Sequence, residues 1–170
     1  MQGELLTLRV IHVLGGTFWV GTLLFMSFFL LPALRDAGPA AAAVSAGLEK
    51  RNIFTWLPVV AVLTILTGLR LLMIASGGFD HAFFTTTQGQ AYLVAAVASI
   101  VALAIGLTVS RPSALAAGRI VAQMENASPD ARAAMAAQAA ALRLKSAKAV
   151  RVIALLVLFA TLVMAVDRYL

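Results

Sequence analysis

The sequence predicts an all-α integral membrane protein, a four-helix bundle whose third and fourth helices continue past the bilayer as a cytoplasmic helical hairpin. Three observations predict it. Apolar residues make up 62% of the 170 residues and charged residues 12%, against roughly 45–50% and about 25% in soluble domains; a soluble chain would expose that excess and aggregate. Four stretches are apolar enough and nearly long enough for the ~20 residues that cross ~30 Å of hydrocarbon. The 13 lysines and arginines gather on one predicted face, the distribution that orients membrane spans.

The first span covers about 10–31, with no charge between Arg9 and Arg35. It is too long for a signal-peptide core and lacks a clean small-residue cleavage site, so it reads as a retained span. The second covers about 54–76 and is interrupted by Arg70 alone. The third, about 90–109, is uncharged, and the fourth is about 152–166. Each is helical, because open strands leave backbone groups unpaired in lipid. The whole chain, 1–170, is thus one domain.

The connections differ in character. The first carries Arg35, Asp36, Glu49, Lys50 and Arg51 around an alanine-rich stretch, Pro39 to Leu48, expected to be a short interfacial helix. The second, Gly77 to Gln88, has Asp80 and His81 but no Lys or Arg. Its glycines and threonines suit a turn and its Phe79, Phe83 and Phe84 an interface. The third, about 111–151, is alanine-rich and basic, hence helix-forming. Ser128 as N-cap, Pro129 at the first helical position and Asp130 beside the dipole mark a stop and restart. Residues 111–126 would therefore project roughly 20–25 Å, and Pro112 is expected to kink the third helix near its membrane exit. Small residues at Ala95, Ser99, Ala102 and Gly106 form a stripe suited to close helix contact in lipid. There is no internal repeat.

Orientation follows from the cations. Arg35, Lys50, Arg51, Arg111, Arg119, Arg132, Arg143, Lys145, Lys148 and Arg151 fall on one side; Arg9, Arg70 and Arg168 fall on the other. The positive-inside rule places both termini on the exoplasmic side and the hairpin in the cytoplasm of a bacterial inner membrane. The net charge of +6 reflects this placement rather than nucleic-acid binding, because the cations flank apolar spans instead of alternating with stacking aromatics. The basic hairpin also suits anionic lipid or an acidic partner, although a solvated face accounts for it as well.

Chemistry-bearing residues are few. There is no cysteine, hence no thiolate site. No mid-depth carboxylate offers a proton path, and neither a serine triad nor a phosphate loop is present. His12 stands about one turn inside the exoplasmic end of the first span, with Trp19 seven residues on and sharing its face. A neutral imidazole at that depth is able to ligate haem iron or copper, and Gly15 and Gly16 would let a flat macrocycle or another helix come close. The bland alternative is a histidine hydrogen-bonded to a neighbouring helix. His81, Met73 and Met164 lie toward the same side and would complete a copper site with His12, though methionine is also ordinary packing material. Arg70 needs a counter-ion or a route to water; Glu4, Asp80 and Asp167 are the available acids. Alternatively Arg9, Arg70 and Arg168 form a basic rim for haem propionates or an anionic lipid.

The first span, with His12, Gly15, Gly16, Trp19 and Gly21 followed by Leu31, Pro32, Ala33 and Leu34, resembles the first helix of the copper-resistance protein D family. The spacing of His12 and Trp19 is also similar to that of the HemJ-type protoporphyrinogen oxidases. The resemblance is specific around this helix and loose elsewhere. It implies a four-helix scaffold and a haem b or copper link through His12. The further histidine and the lysine that HemJ-type enzymes carry near the third helix have no counterpart here, where Tyr92 stands among apolar and small residues. Scarcity of polar chemistry favours a non-catalytic structural or accessory subunit, embedded in the lipid bilayer and packed against other membrane proteins or a second copy. The alternative is a copper- or haem-binding protein with His12 as ligand and Trp19 and Arg70 beside the cofactor.

Overall fold

A computed structural model describes residues 2–166 and Tyr169. Four helices in it are long and apolar enough to cross a membrane: α1 (Gln2–Asp36), α3 (Ile53–Ala75), α5 (Thr87–Asn126) and α6 (Pro129–Val166). Two shorter helices occupy the connections, α2 (Ala41–Lys50) between α1 and α3, and α4 (His81–Phe84) between α3 and α5. No strand occurs among the described residues. The long helices pack around a square, α1 beside α3 and α6, and α5 beside α3 and α6. One end of the bundle carries both chain ends, and the other carries the α5–α6 hairpin.

Size sorts the residues between inside and outside. Alanines such as Ala61, Ala95, Ala102, Ala154 and Ala160 are buried, while Phe18, Phe29, Leu63, Leu66 and Leu155 face outward. Lipid tails are as apolar as leucine, so helices associate there by close packing of small side chains rather than by hiding large ones. Of the stripe on α5, Ala95 and Ala102 are buried, Ser99 is half-buried, and a Cβ on Gly106 would lie 3.8 Å from Ile153 of α6. That surface is thereby committed within the bundle.

The prolines locate the irregular turns. A π turn spans Met26–Leu30 and another Gly106–Ser110, each ending two residues before a proline, Pro32 and Pro112. Proline lacks an N–H and crowds the carbonyl four residues back; a widened turn gives that carbonyl room. Pro58 lies inside α3 and deprives the Phe54 carbonyl of its helical donor, and Arg111 Nε supplies one from α5 at 3.1 Å. Just beyond the second π turn, Ser146 Oγ donates to the Ser110 carbonyl at 3.1 Å and joins α6 to α5.

At about 1.5 Å per residue, the 40 residues of α5 and the 38 of α6 reach well past a ~30 Å hydrocarbon layer. At the hairpin tip, α5 ends in a 3₁₀ turn, Met124–Asn126. Arg132 closes it, with Nε and Nη2 donating to the Met124 and Glu125 carbonyls at 3.1 and 3.2 Å. Ser128 Oγ accepts from the Ala131 N–H at 3.4 Å. At the opposite end Asp80 Oδ1 caps α4 by accepting from the Ala82 N–H, and Thr86 Oγ1 caps α5 through the Gly89 N–H, both at 3.1 Å.

The long helices α1 and α3 approach each other closely at two glycines, Gly15 and Gly68. A Cβ on Gly15 would lie 2.5 Å from Thr64 Oγ1, whose hydroxyl is already held by the Val60 carbonyl at 2.8 Å. Nothing lies within 4 Å of a Cβ on Gly21. Gly15→Ala is therefore expected to cost about 1–3 kcal/mol through overpacking, whereas Gly21→Ala should be neutral or slightly stabilising. Unfolding of both variants in detergent checks this; equal effects would contradict the close crossing.

Candidate functional site

The two halves of the bundle differ in what fills them. Toward the hairpin, Trp19, Leu23, Ala61, Ala102, Ile153 and Ala154 from all four long helices meet in one core. Toward the chain ends, a smaller cluster of Ala95, Ala98 and Ala160 joins only α5 to α6. Between that pair and the α1–α3 pair lies a cavity of about 490 Å³. Ligand pockets typically run to ~300–1,000 Å³ with mostly apolar walls and a few placed polar groups, and this one fits. Leu5, Gly16, Val20, Ile65, Leu69 and Ala96 supply apolar wall. Arg9, His12, Trp19, Thr64, Tyr92, Ser99, Thr161 and Met164 are its polar or sulfur-bearing residues.

His12 is fixed before any ligand enters. Its Nδ1 donates to the Thr64 carbonyl at 2.8 Å. The acceptor is a carbonyl, so in the neutral ring Nδ1 carries the proton and Nε2 keeps its lone pair. The ring lies against Gly68, where a Cβ would stand 2.7 Å from Cε1 and 3.1 Å from Nδ1. Glycine at 68 leaves the room the imidazole needs against α3 to reach that carbonyl. Nε2 has no hydrogen-bond partner among the described residues. It is the ring's remaining polar atom for whatever occupies the cavity.

The hydroxyls of Ser99 and Thr161 on the wall are tied to their own helices. Ser99 donates to the Ala95 carbonyl and Thr161 to the Val157 carbonyl, each at 2.8 Å. Trp19 is 5% exposed and forms part of both the core and the cavity floor. Its indole N–H has no hydrogen-bond partner among the described residues.

Of the residues singled out from sequence, the cavity gathers His12, Trp19 and Met164. Met73 and His81 do not line it. Arg70 does not line it either: its Nε and Nη2 donate to Glu4 Oε1 at 2.9 and 2.5 Å, and Nη1 lies 3.6 Å from Met73 Sδ. Asp167 and Arg168, considered as ion partner and as part of a basic rim, lie outside the described residues. No group of three or more His, Asp or Glu side chains suited to a metal ion occurs among the described residues. Sequence reasoning did not single out Thr64 and Gly68 as the seat of His12. A glycine between Thr67 and Leu69 in an apolar span was their one visible signal.

No family model, curated protein or solved structure matches this chain.

The packing of His12 on Gly68 gives a non-additive expectation. Gly68→Ala should destabilise the protein by about 1–3 kcal/mol, because the new methyl displaces the imidazole. In a His12→Ala background the same change should cost little, since the obstructed ring is gone. Thermal unfolding of the four proteins in detergent measures this coupling; additive losses would contradict the contact.

Proposed function

We propose that this protein binds a flat, hydrophobic metal cofactor of the haem b class inside the membrane, with His12 as its ligand. The observation that carries this reading is the seating of His12: Nδ1 held by a backbone carbonyl, Nε2 without a hydrogen-bond partner among the described residues, on the wall of a 490 Å³ cavity. Metal-ligating imidazoles nearly always anchor their other nitrogen in this way, which fixes ring orientation and raises ligand basicity. One imidazole is enough to hold haem iron. Gly16, Ala95 and Ala96 leave the walls flat for a macrocycle, and Met164 stands on the α6 wall. When bound, such a group supplies a redox-active iron. The chain's own residues position it, exclude water and surround it with apolar side chains. Copper fits this geometry less well, because His81 and Met73 stand away from the His12 cavity.

The hairpin favours a second reading that is compatible with the first. Outside the spans, α5 and α6 offer an exposed helical surface carrying Arg119, Arg143, Lys145 and Lys148. In that reading the protein is a non-catalytic subunit docked to other membrane proteins or to a second copy of itself. Both readings place it as a multi-pass protein of a bacterial inner membrane, with termini exoplasmic and hairpin cytoplasmic. Ten of the 13 Lys and Arg lie toward the hairpin side, and the positive-inside rule supports that orientation.

Two experiments test this. The full-length protein, purified in mild detergent, should show a haem Soret band or acquire one on titration with haemin. His12→Ala should lose it, and so should Ala96→Trp, which fills the cavity without touching the imidazole. A folded wild type that leaves haemin unbound, or His12→Ala binding as well as wild type, overturns the proposal. For orientation, a cysteine at Asn126 should resist membrane-impermeant thiol reagents in intact spheroplasts and react after lysis. Labelling of intact spheroplasts would reverse the assignment.

A further inference from the structure

Of the three arginines that the sequence offers as a basic rim, Arg9 lines the cavity and Arg70 does not. Arg9 is exposed and has no ion pair or hydrogen bond among the described residues. It therefore stands at the mouth, on the end of the bundle that carries the chain termini. The second span's cation is held elsewhere: Arg70 is bound by Glu4 and rests against Met73. Arg9 is thus the only Lys or Arg on the cavity wall among the described residues.

Arg9, His12, Gly16 and Trp19 recur at helical spacing along one stripe of α1, and all four line the cavity. From mouth to floor the stripe offers a cation, an imidazole lone pair, a bare backbone and an aromatic ring. At about 1.5 Å per residue, Arg9 lies roughly 4–5 Å above His12 along the axis, and Trp19 about 10 Å below it. Beside Trp19 the floor includes Val20 and Val157. A carboxylate pushed to that depth would lie among apolar side chains without a counter-ion, which is strongly unfavourable. At the mouth it would meet a guanidinium, whose planar fork matches a carboxylate in two parallel hydrogen bonds.

We propose that Arg9 selects ligands bearing a free carboxylate and fixes which edge of the ligand faces the membrane surface. This inference rests on the haem-class reading of the cavity. It narrows the ligand to an acidic tetrapyrrole, with its carboxylates toward Arg9 and its apolar edge on Trp19, in preference to an esterified or uncharged one. Arg9 acts here as a specificity-determining residue, and His12 remains the metal ligand.

The test compares haemin with haemin dimethyl ester, which keeps iron and macrocycle but masks both carboxylates. Each is titrated by absorbance into full-length wild type, Arg9→Gln, Arg9→Lys and His12→Ala in detergent. A charge-assisted hydrogen bond at a solvent-exposed mouth corresponds to at most about tenfold in affinity. Wild type should therefore prefer haemin over the diester by up to that factor, Arg9→Gln should erase the preference by losing haemin affinity alone, and Arg9→Lys should restore part of it. Equal weakening of both ligands by Arg9→Gln, or no weakening of either, overturns the inference, since the first is a structural effect and the second shows no contact. His12→Ala separates the two levels. If it binds both ligands as wild type does, the haem reading fails; if it loses both while the Arg9 series shows no preference, only this inference fails.

Discussion

The close crossing of α1 over α3 is the constraint from which the site follows. Gly15 brings α1 within reach of Thr64, and Gly68 gives the His12 ring a surface without a side chain. The imidazole is then held from both directions, by contact with α3 beneath it and by the Thr64 carbonyl at Nδ1. In water such a hydrogen bond contributes about 1 kcal/mol net. Its larger effect here is on chemistry, because it fixes the tautomer and leaves Nε2 as a lone-pair donor beside the cavity. One of the two glycines admits the helix and the other admits the ring.

The cavity exists because the two helix pairs are joined unequally along their length. Toward the hairpin, Trp19, Leu23, Ala102 and Ala154 fill the centre and bring all four helices together. Toward the chain ends, α1 and α3 remain locked to each other, and the buried cluster among the described residues joins α5 to α6 alone. A void lined by apolar atoms forfeits packing contacts on every wall, so an empty cavity of this size is destabilising. A hydrophobic occupant would restore those contacts while using the His12 Nε2 lone pair and the Arg9 cation on the walls. At the same end, Glu4 and Arg70 join α1 to α3 by an ion pair between half-exposed side chains. That pair contributes little stability if solvated, but it keeps the second cation away from the cavity.

The fold class was readable because apolar length is a direct signal: four stretches without room for charge need four helices in lipid. Turn chemistry was nearly as plain, since Ser128, Pro129 and Asp130 announce a restart and α6 begins at Pro129. A short helix was expected over Pro39 to Leu48 and one is observed over Ala41–Lys50, a shift set by alanines that carry no boundary of their own. Expected from Pro112 was a kink; the structure has a π turn ahead of it, and the same device recurs at Pro32. The partner of Arg70 was not readable. Three acids stood within plausible reach, and only the fold shows Asp80 used as a helix cap and Glu4 facing the guanidinium. Least readable was the cavity itself. Small residues such as Ala95 and Ala160 pack two helices together, while others nearby, such as Gly16 and Ala96, form open wall, and a linear pattern writes both in the same letters.

The most direct test of the account is the protonation and accessibility of the two His12 ring nitrogens, read by nitrogen-15 magnetic resonance of histidine-labelled protein, with His81→Gln used to assign the signal. The account predicts a protonated, hydrogen-bonded Nδ1 and an unprotonated Nε2 whose resonance moves on adding a diamagnetic metalloporphyrin. A ring protonated at Nε2, or an Nε2 signal indifferent to saturating metalloporphyrin, would contradict it.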